Sequence, residues 1–240
     1  MTFSSCCFQT IDHDGNPTGK IETVAGLESY VTGIEYGYDK VIVVVTDILG
    51  HKYKNNQLVA DQLSRVGKYL VVVPDLFYGD SLSSIEEYME KREQWGAAHG
   101  PHVTGPLVDK FLAAFREEKR PKFLAGVGHC FGAMFVVPNL KEGGLLDAGG
   151  IAHPSNLTPE DLDLIRKPVV IATGPNDPSY TQELINKSIE SLTENKVWYQ
   201  LTVFEGVQHG FAVRGDLTNK KVVYAQNKVI RDQIEFFAAI

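Results

Sequence analysis

Three cysteines among 240 residues are too few for a disulfide framework. Two of them, Cys6 and Cys7, are adjacent, a poor geometry for bridging to each other, and are read as small semi-buried residues near the N-terminal strand. No apolar run approaches the ~20 residues that a membrane span needs. Residues 1–20 are polar and lack the apolar stretch of a secretory signal. Excess positive charge is missing too. The 23 lysines and arginines stand against 30 aspartates and glutamates, for a formal charge of −7 and a pI near 5.5. That balance opposes a binder of phosphate backbones, while leaving room for a local basic pocket. There is no Gly-rich phosphate loop, no cysteine–histidine cluster with zinc spacing, no internal repeat and no linker. The expectation is a chain that needs no cofactor or metal and meets no nucleic acid or membrane. Its place would be the reducing cytoplasm or also the nucleus, as a monomer or homodimer.

What is present suits one α/β domain over residues 1–240, with a hydrophobic content of 43%. Val41–Val45 and Leu70–Pro74 are β-branched runs without polar alternation, which reads as strands buried on both faces. Between them Leu58, Val59, Leu63 and Val66 recur at helical spacing, and Gly67 is a natural stop. Leu107, Phe111 and Phe115 step by four along a second helix, with Thr104 as its cap. Further helices are expected over Tyr180–Thr193 and Lys221–Phe237, the last with Val223, Ile230, Ile234 and Phe237 on its buried face. Ser81–Gly105 reads as a polar excursion over the site, carrying a short helix. Strands alternating with helices predict a mostly parallel sheet with helices on both faces. In such sheets ligands lie beyond the carboxyl ends of the strands.

One of those ends carries Gly128-His129-Cys130-Phe131-Gly132, after the apolar run Phe123–Val127 and before a segment, Ala133–Leu140, able to start a helix. G-x-C-x-G between strand and helix is the layout of the nucleophile elbow of α/β-hydrolases, with a thiol in place of a hydroxyl. A helix N-terminus behind the cysteine favours thiolate. The hydrolase order nucleophile, acid, histidine is then met by strand ends further along. Lys167–Gly174 leads to Asp177, and Val197–Phe204 leads to His209 in a glycine-flanked loop. His209 would take the thiol proton, and Asp177 would fix the imidazole tautomer.

At these residues the chain resembles the dienelactone hydrolase family, the cysteine branch of the α/β-hydrolases, and is most similar to its fungal members. The resemblance runs through Cys6-Cys7-Phe8, Thr46-Asp47-Ile48-Leu49-Gly50, Val73-Pro74-Asp75-Leu76-Phe77, the elbow, Ala152-His153-Pro154-Ser155 and His209-Gly210-Phe211. It implies hydrolysis of an enol-lactone or activated ester, a small-molecule substrate, through a thioester on Cys130. It also implies that Asp47, at the place of an acidic residue in the family, bonds the resting thiol and gates it. Ile48 and Phe131 would lend their backbone N–H groups to an oxyanion. Arg214 would hold a substrate carboxylate, and His153, Arg92 and Trp95 would line the pocket.

Two other readings compete. A reactive-cysteine protein of the DJ-1 type, acting on glyoxals or sensing oxidation, would share an elbow cysteine but lack an Asp–His pair so late in the chain. A non-catalytic small-molecule binder on a hydrolase scaffold would carry an altered pocket around Cys130.

Overall fold

Among the described residues the sheet assembles from eight strands: β1 (Lys20–Val24), β2 (Leu27–Thr32), β3 (Lys40–Val45), β4 (Leu70–Pro74), β5 (Phe123–His129), β6 (Ala148–Ala152), β7 (Val169–Thr173) and β8 (Tyr199–Val203). Their order is β1-β2-β4-β3-β5-β6-β7-β8. The pairs β1–β2 and β2–β4 are antiparallel, and every pair from β4–β3 to β7–β8 is parallel. This is the mostly parallel sheet that the strand–helix alternation predicts. The computed structural model describes residues 11–83 and 85–240, so Cys6 and Cys7 fall outside the described residues.

The helices are α1 (Lys54–Gly67), α2 (Ile85–His99), α3 (Pro101–Lys119), α4 (Ala133–Val136), α5 (Pro159–Asp163), α6 (Gln182–Glu194), α7 (Phe211–Arg214) and α8 (Lys220–Ala238). Val41, Val43, Val45, Leu70 and Val72 point to one face of the sheet, where Phe111, Leu112 and Phe115 of α3 cover them. Ile42, Val44, Val71 and Val73 point to the other, under Val59 and Leu63 of α1 and Ile230 and Ile234 of α8. Both faces of β3 and β4 are therefore covered, which is why their sequences show no alternation.

Three details depart from the sequence reading. Val66 is exposed although it keeps step with Val59 and Leu63. Thr104 is not a cap but lies inside α3. That helix starts at Pro101, where a missing N–H costs nothing, and Thr104 Oγ1 donates to the His99 carbonyl instead. On α8 the apolar face is entered by Val222 rather than Val223.

Candidate active site

The sheet delivers the candidate residues at the carboxyl ends of neighbouring strands. Cys130 directly follows β5 with φ 52°, in the left-handed region that non-glycine residues rarely occupy. Such a turn throws the side chain clear of the strand. It works only because Gly132 follows: a Cβ there would stand 1.9 Å from the carbonyl oxygen of Val45. Behind the elbow the backbone stays helical from Cys130 to Leu140, as a 3₁₀ turn at Cys130–Gly132, α-helix over Ala133–Val136 and a second 3₁₀ turn at Val137–Leu140, so its dipoles stay aligned toward the sulfur.

Two other strand ends complete a chain of hydrogen bonds. His209 Nε2 lies 3.1 Å from Cys130 Sγ, while Nδ1 lies 2.9 and 2.8 Å from the two oxygens of Asp177. All three side chains are buried. Asp177 also accepts from the Ser179 N–H at 2.9 Å, which fixes its carboxylate. Burial alone would lower the pKa of His209. The charges of Cys130 and Asp177 reverse that and raise it to about 9. Beside the sulfur and the carboxylate, His209 thus favours its protonated form.

Nothing in its residue type marks Ser155, although Ala152-His153-Pro154-Ser155 carries its position. Its Oγ is buried 3.3 Å from Cys130 Sγ and 3.3 Å from His209 Nε2, and its N–H donates to the Cys130 carbonyl at 3.1 Å. His153, at φ 39°, presents its ring edge-on to His209 with centroids 5.0 Å apart, and stacks on His129 at 6.0 Å. Among the described residues, no nitrogen or oxygen partner meets either ring nitrogen of His153, which lies beside the Cys130 sulfur. Burial lowers the pKa of His153, and pushes that of His129 down to about 3, so neither adds positive charge at neutral pH.

The remaining predicted positions divide. Asp47, at the end of β3, accepts from Leu49 N–H at 3.2 Å, from Asn56 Nδ2 at 3.1 Å and from Arg214 Nη1 at 2.6 Å. Among the described residues, these bonds replace the contact to the resting thiol that the resemblance implies. The shorter aspartate spends its oxygens on its own loop and on Arg214. Arg214 is accordingly buried against Asp47, where the resemblance has it holding a substrate carboxylate. In the same loop the Ile48 N–H donates to no described residue, while its carbonyl accepts from Leu82 N–H at 2.9 Å. Phe131 packs against Phe77, Trp95 and Phe135 at 5.9, 5.6 and 5.0 Å. Trp95 therefore lies one ring away from the nucleophile elbow, and its Nε1–H is spent on the Asp80 carbonyl at 2.6 Å. Arg92 is exposed on α2 and forms no ion pair with a described residue of the site.

The Asp47–Arg214 pair ties the loop of Ile48 to the turn that follows His209. Asp47→Asn removes one charge of a buried pair, which costs about 3–5 kcal/mol. The expected result is a clear drop in the urea midpoint together with slower ester turnover. An unchanged midpoint would mean that Arg214 does not depend on Asp47.

One cluster of possible metal ligands occurs among the described residues. Glu28, His51 and Asp75 bring ligand atoms within 4.8 Å of one another. His51 Nε2 meets Glu28 at 3.0 Å, and Lys52 meets the same Glu28 oxygen at 2.7 Å. Lys52 already supplies the positive charge there, and the three groups tie the loop after β3 to β2 and β4.

A mostly parallel sheet with a cysteine on a strained elbow, beside a histidine and an aspartate from two later strand ends, defines an α/β-hydrolase. The chain belongs to the dienelactone hydrolase family, whose model matches residues 27–240. It is 34% identical to the hydrolase tropI of Talaromyces stipitatus, over 97% of this chain and 94% of that protein. It is 29% identical to dienlactone hydrolase 1 of Gibberella moniliformis, over 96% and 91%. Its fold matches the dienelactone hydrolase of Anabaena variabilis with a TM-score of 0.67 at 14% identity, over 93% of this chain and 98% of that one. Membership makes the protein a hydrolase of lactone- or ester-like small molecules.

Proposed function

We propose that the protein is a cysteine-dependent hydrolase of enol-lactones or activated esters, working through a thioester on Cys130. The observation that carries this reading is the continuous chain from Cys130 Sγ through His209 to Asp177, at 3.1 and 2.8 Å. The thiolate attacks the carbonyl carbon and a C–S bond forms. The oxyanion takes hydrogen bonds from the backbone N–H groups of Ile48 and Phe131. The C–O bond to the leaving group then breaks, and that oxygen receives the proton held on His209 Nε2. In the second half His209 takes a proton from water, whose oxygen attacks the thioester and expels the thiolate. Thiolate is a better leaving group than an alkoxide, so the enzyme favours substrates whose own leaving group departs readily. Asp177 stays ionised throughout and steadies the imidazolium. A thiol used in this way must remain reduced, which fits a cytoplasmic setting.

The Asp177–His209 pair speaks for this reading over a glyoxalase or oxidation sensor of the DJ-1 type, which needs no such late pair. The test is acid quenching during turnover of an aryl ester, followed by peptide mapping. The acyl group is expected on Cys130. An acyl group on Ser155 with Cys130 unmodified would reverse the assignment of the nucleophile.

A further inference from the structure

We infer that Ser155 is a positioning residue whose hydroxyl holds the Cys130 sulfur as thiolate against His209. The inference rests on reading Cys130 as the nucleophile. Ser155 grips Cys130 at two points: its N–H donates to the Cys130 carbonyl at 3.1 Å, and its Oγ lies 3.3 Å from the sulfur. The same oxygen lies 3.3 Å from His209 Nε2 and is buried. A serine hydroxyl has one proton to donate and two lone pairs to accept with. In the ion-paired state the imidazolium Nε2–H is shared between the sulfur and the serine oxygen, and the serine proton goes to the negative sulfur. In the neutral state the same atoms form a relay, S–H to Oγ and O–H to Nε2, in which the serine proton meets an uncharged acceptor. A hydrogen bond to a charged acceptor is the stronger kind.

The hydroxyl acts beside the backbone dipole of the helical segment 130–140, while the charged side chains nearby are otherwise engaged. The groups facing the pair from other elements are His129 at the end of β5, His153 after β6, Asp177 after β7, and Arg214 of α7 with Asp47 after β3. Burial keeps His129 and His153 neutral. Arg214 is neutralised by Asp47, and Asp177 is spent on His209. Ser155 and His209 both lie within hydrogen-bonding distance of the sulfur.

The test follows iodoacetamide alkylation of the Cys130 peptide against pH by mass spectrometry in the full chain, so that Cys6 and Cys7 do not interfere. For Ser155→Ala the acid limb should move up by about one pH unit, with labelling about tenfold slower below it. Ser155→Thr should restore the native curve. The value of kcat should fall in Ser155→Ala with KM little changed. Thermal stability should hold, because the backbone bond to Cys130 survives. Should Ser155→Ala not fold, the near-isosteric pair Ser155→Thr and Ser155→Val replaces it, and their limbs must differ in the same sense. Superimposable curves, alongside a Cys130→Ala variant that is inactive, overturn the role of Ser155 alone. A Cys130→Ala variant that still turns over ester overturns the nucleophile itself, whatever the curves show.

Discussion

Replacing Cys130 by alanine should lower aryl-ester turnover by about three orders of magnitude or more, the scale of loss when a covalent nucleophile is deleted. The size follows from what the sulfur does at its position. It is the atom that bonds the carbonyl carbon, and its negative charge helps keep His209 protonated up to about 9. Losing it removes both the nucleophile and the proton meant for the leaving group. The elbow itself should persist. Alanine is no more strained than cysteine at φ 52°, and the close approach to the Val45 carbonyl depends on Gly132. Far-UV circular dichroism should therefore match the native protein. Near-full activity in this variant, or an equal loss on Cys6→Ala with Cys130 intact, would sink the mechanism.

The elbow was legible because its constraints are local. A strand, a left-handed residue and a glycine that must clear a backbone oxygen leave a five-residue signature. Asp177 and His209 were legible from order alone, since each follows an apolar β-branched run. β6 was harder. Its sequence, Ala148-Gly149-Gly150-Ile151-Ala152, has almost no strand propensity. It is a strand because it lies between β5 and β7, and small because a Cβ on Gly149 would stand 2.6 Å from Leu140. Ser155 was hidden with it, as a common residue in a loop after a strand that could not be read. β1 was missed for the opposite reason, being an exposed edge strand without an apolar face. The role of Asp47 could not be read from position either. Whether a carboxylate reaches the thiol or an arginine depends on one methylene and on where α7 places Arg214.

His209→Ala should stop both halves of the reaction and cost about three to four orders of magnitude, while Asp177→Asn should keep the fold and lose most of that rate. His153→Ala should do far less. Its imidazole is buried and neutral and is met edge-on by His209, but no carboxylate holds either of its nitrogens, so nothing fixes its tautomer for proton transfer. The pH dependence separates the two histidines further. His209 is raised above its ordinary value of 6.5 to about 9, against burial, by the charges of Cys130 and Asp177. For a base shifted upward, the stabilisation is fully present below about pH 6.5 and is lost as pH rises through about 9. Ester turnover should accordingly decline above about pH 9, as the proton needed by the leaving group is lost. In Asp177→Asn that alkaline limb should move to lower pH, because one of the charges opposing burial is gone. His153→Ala should leave the limb in place. The decisive measurement is kcat/KM from pH 6 to 10 in the three variants beside the native protein. A limb that stays fixed in Asp177→Asn but moves in His153→Ala would make His153 the base.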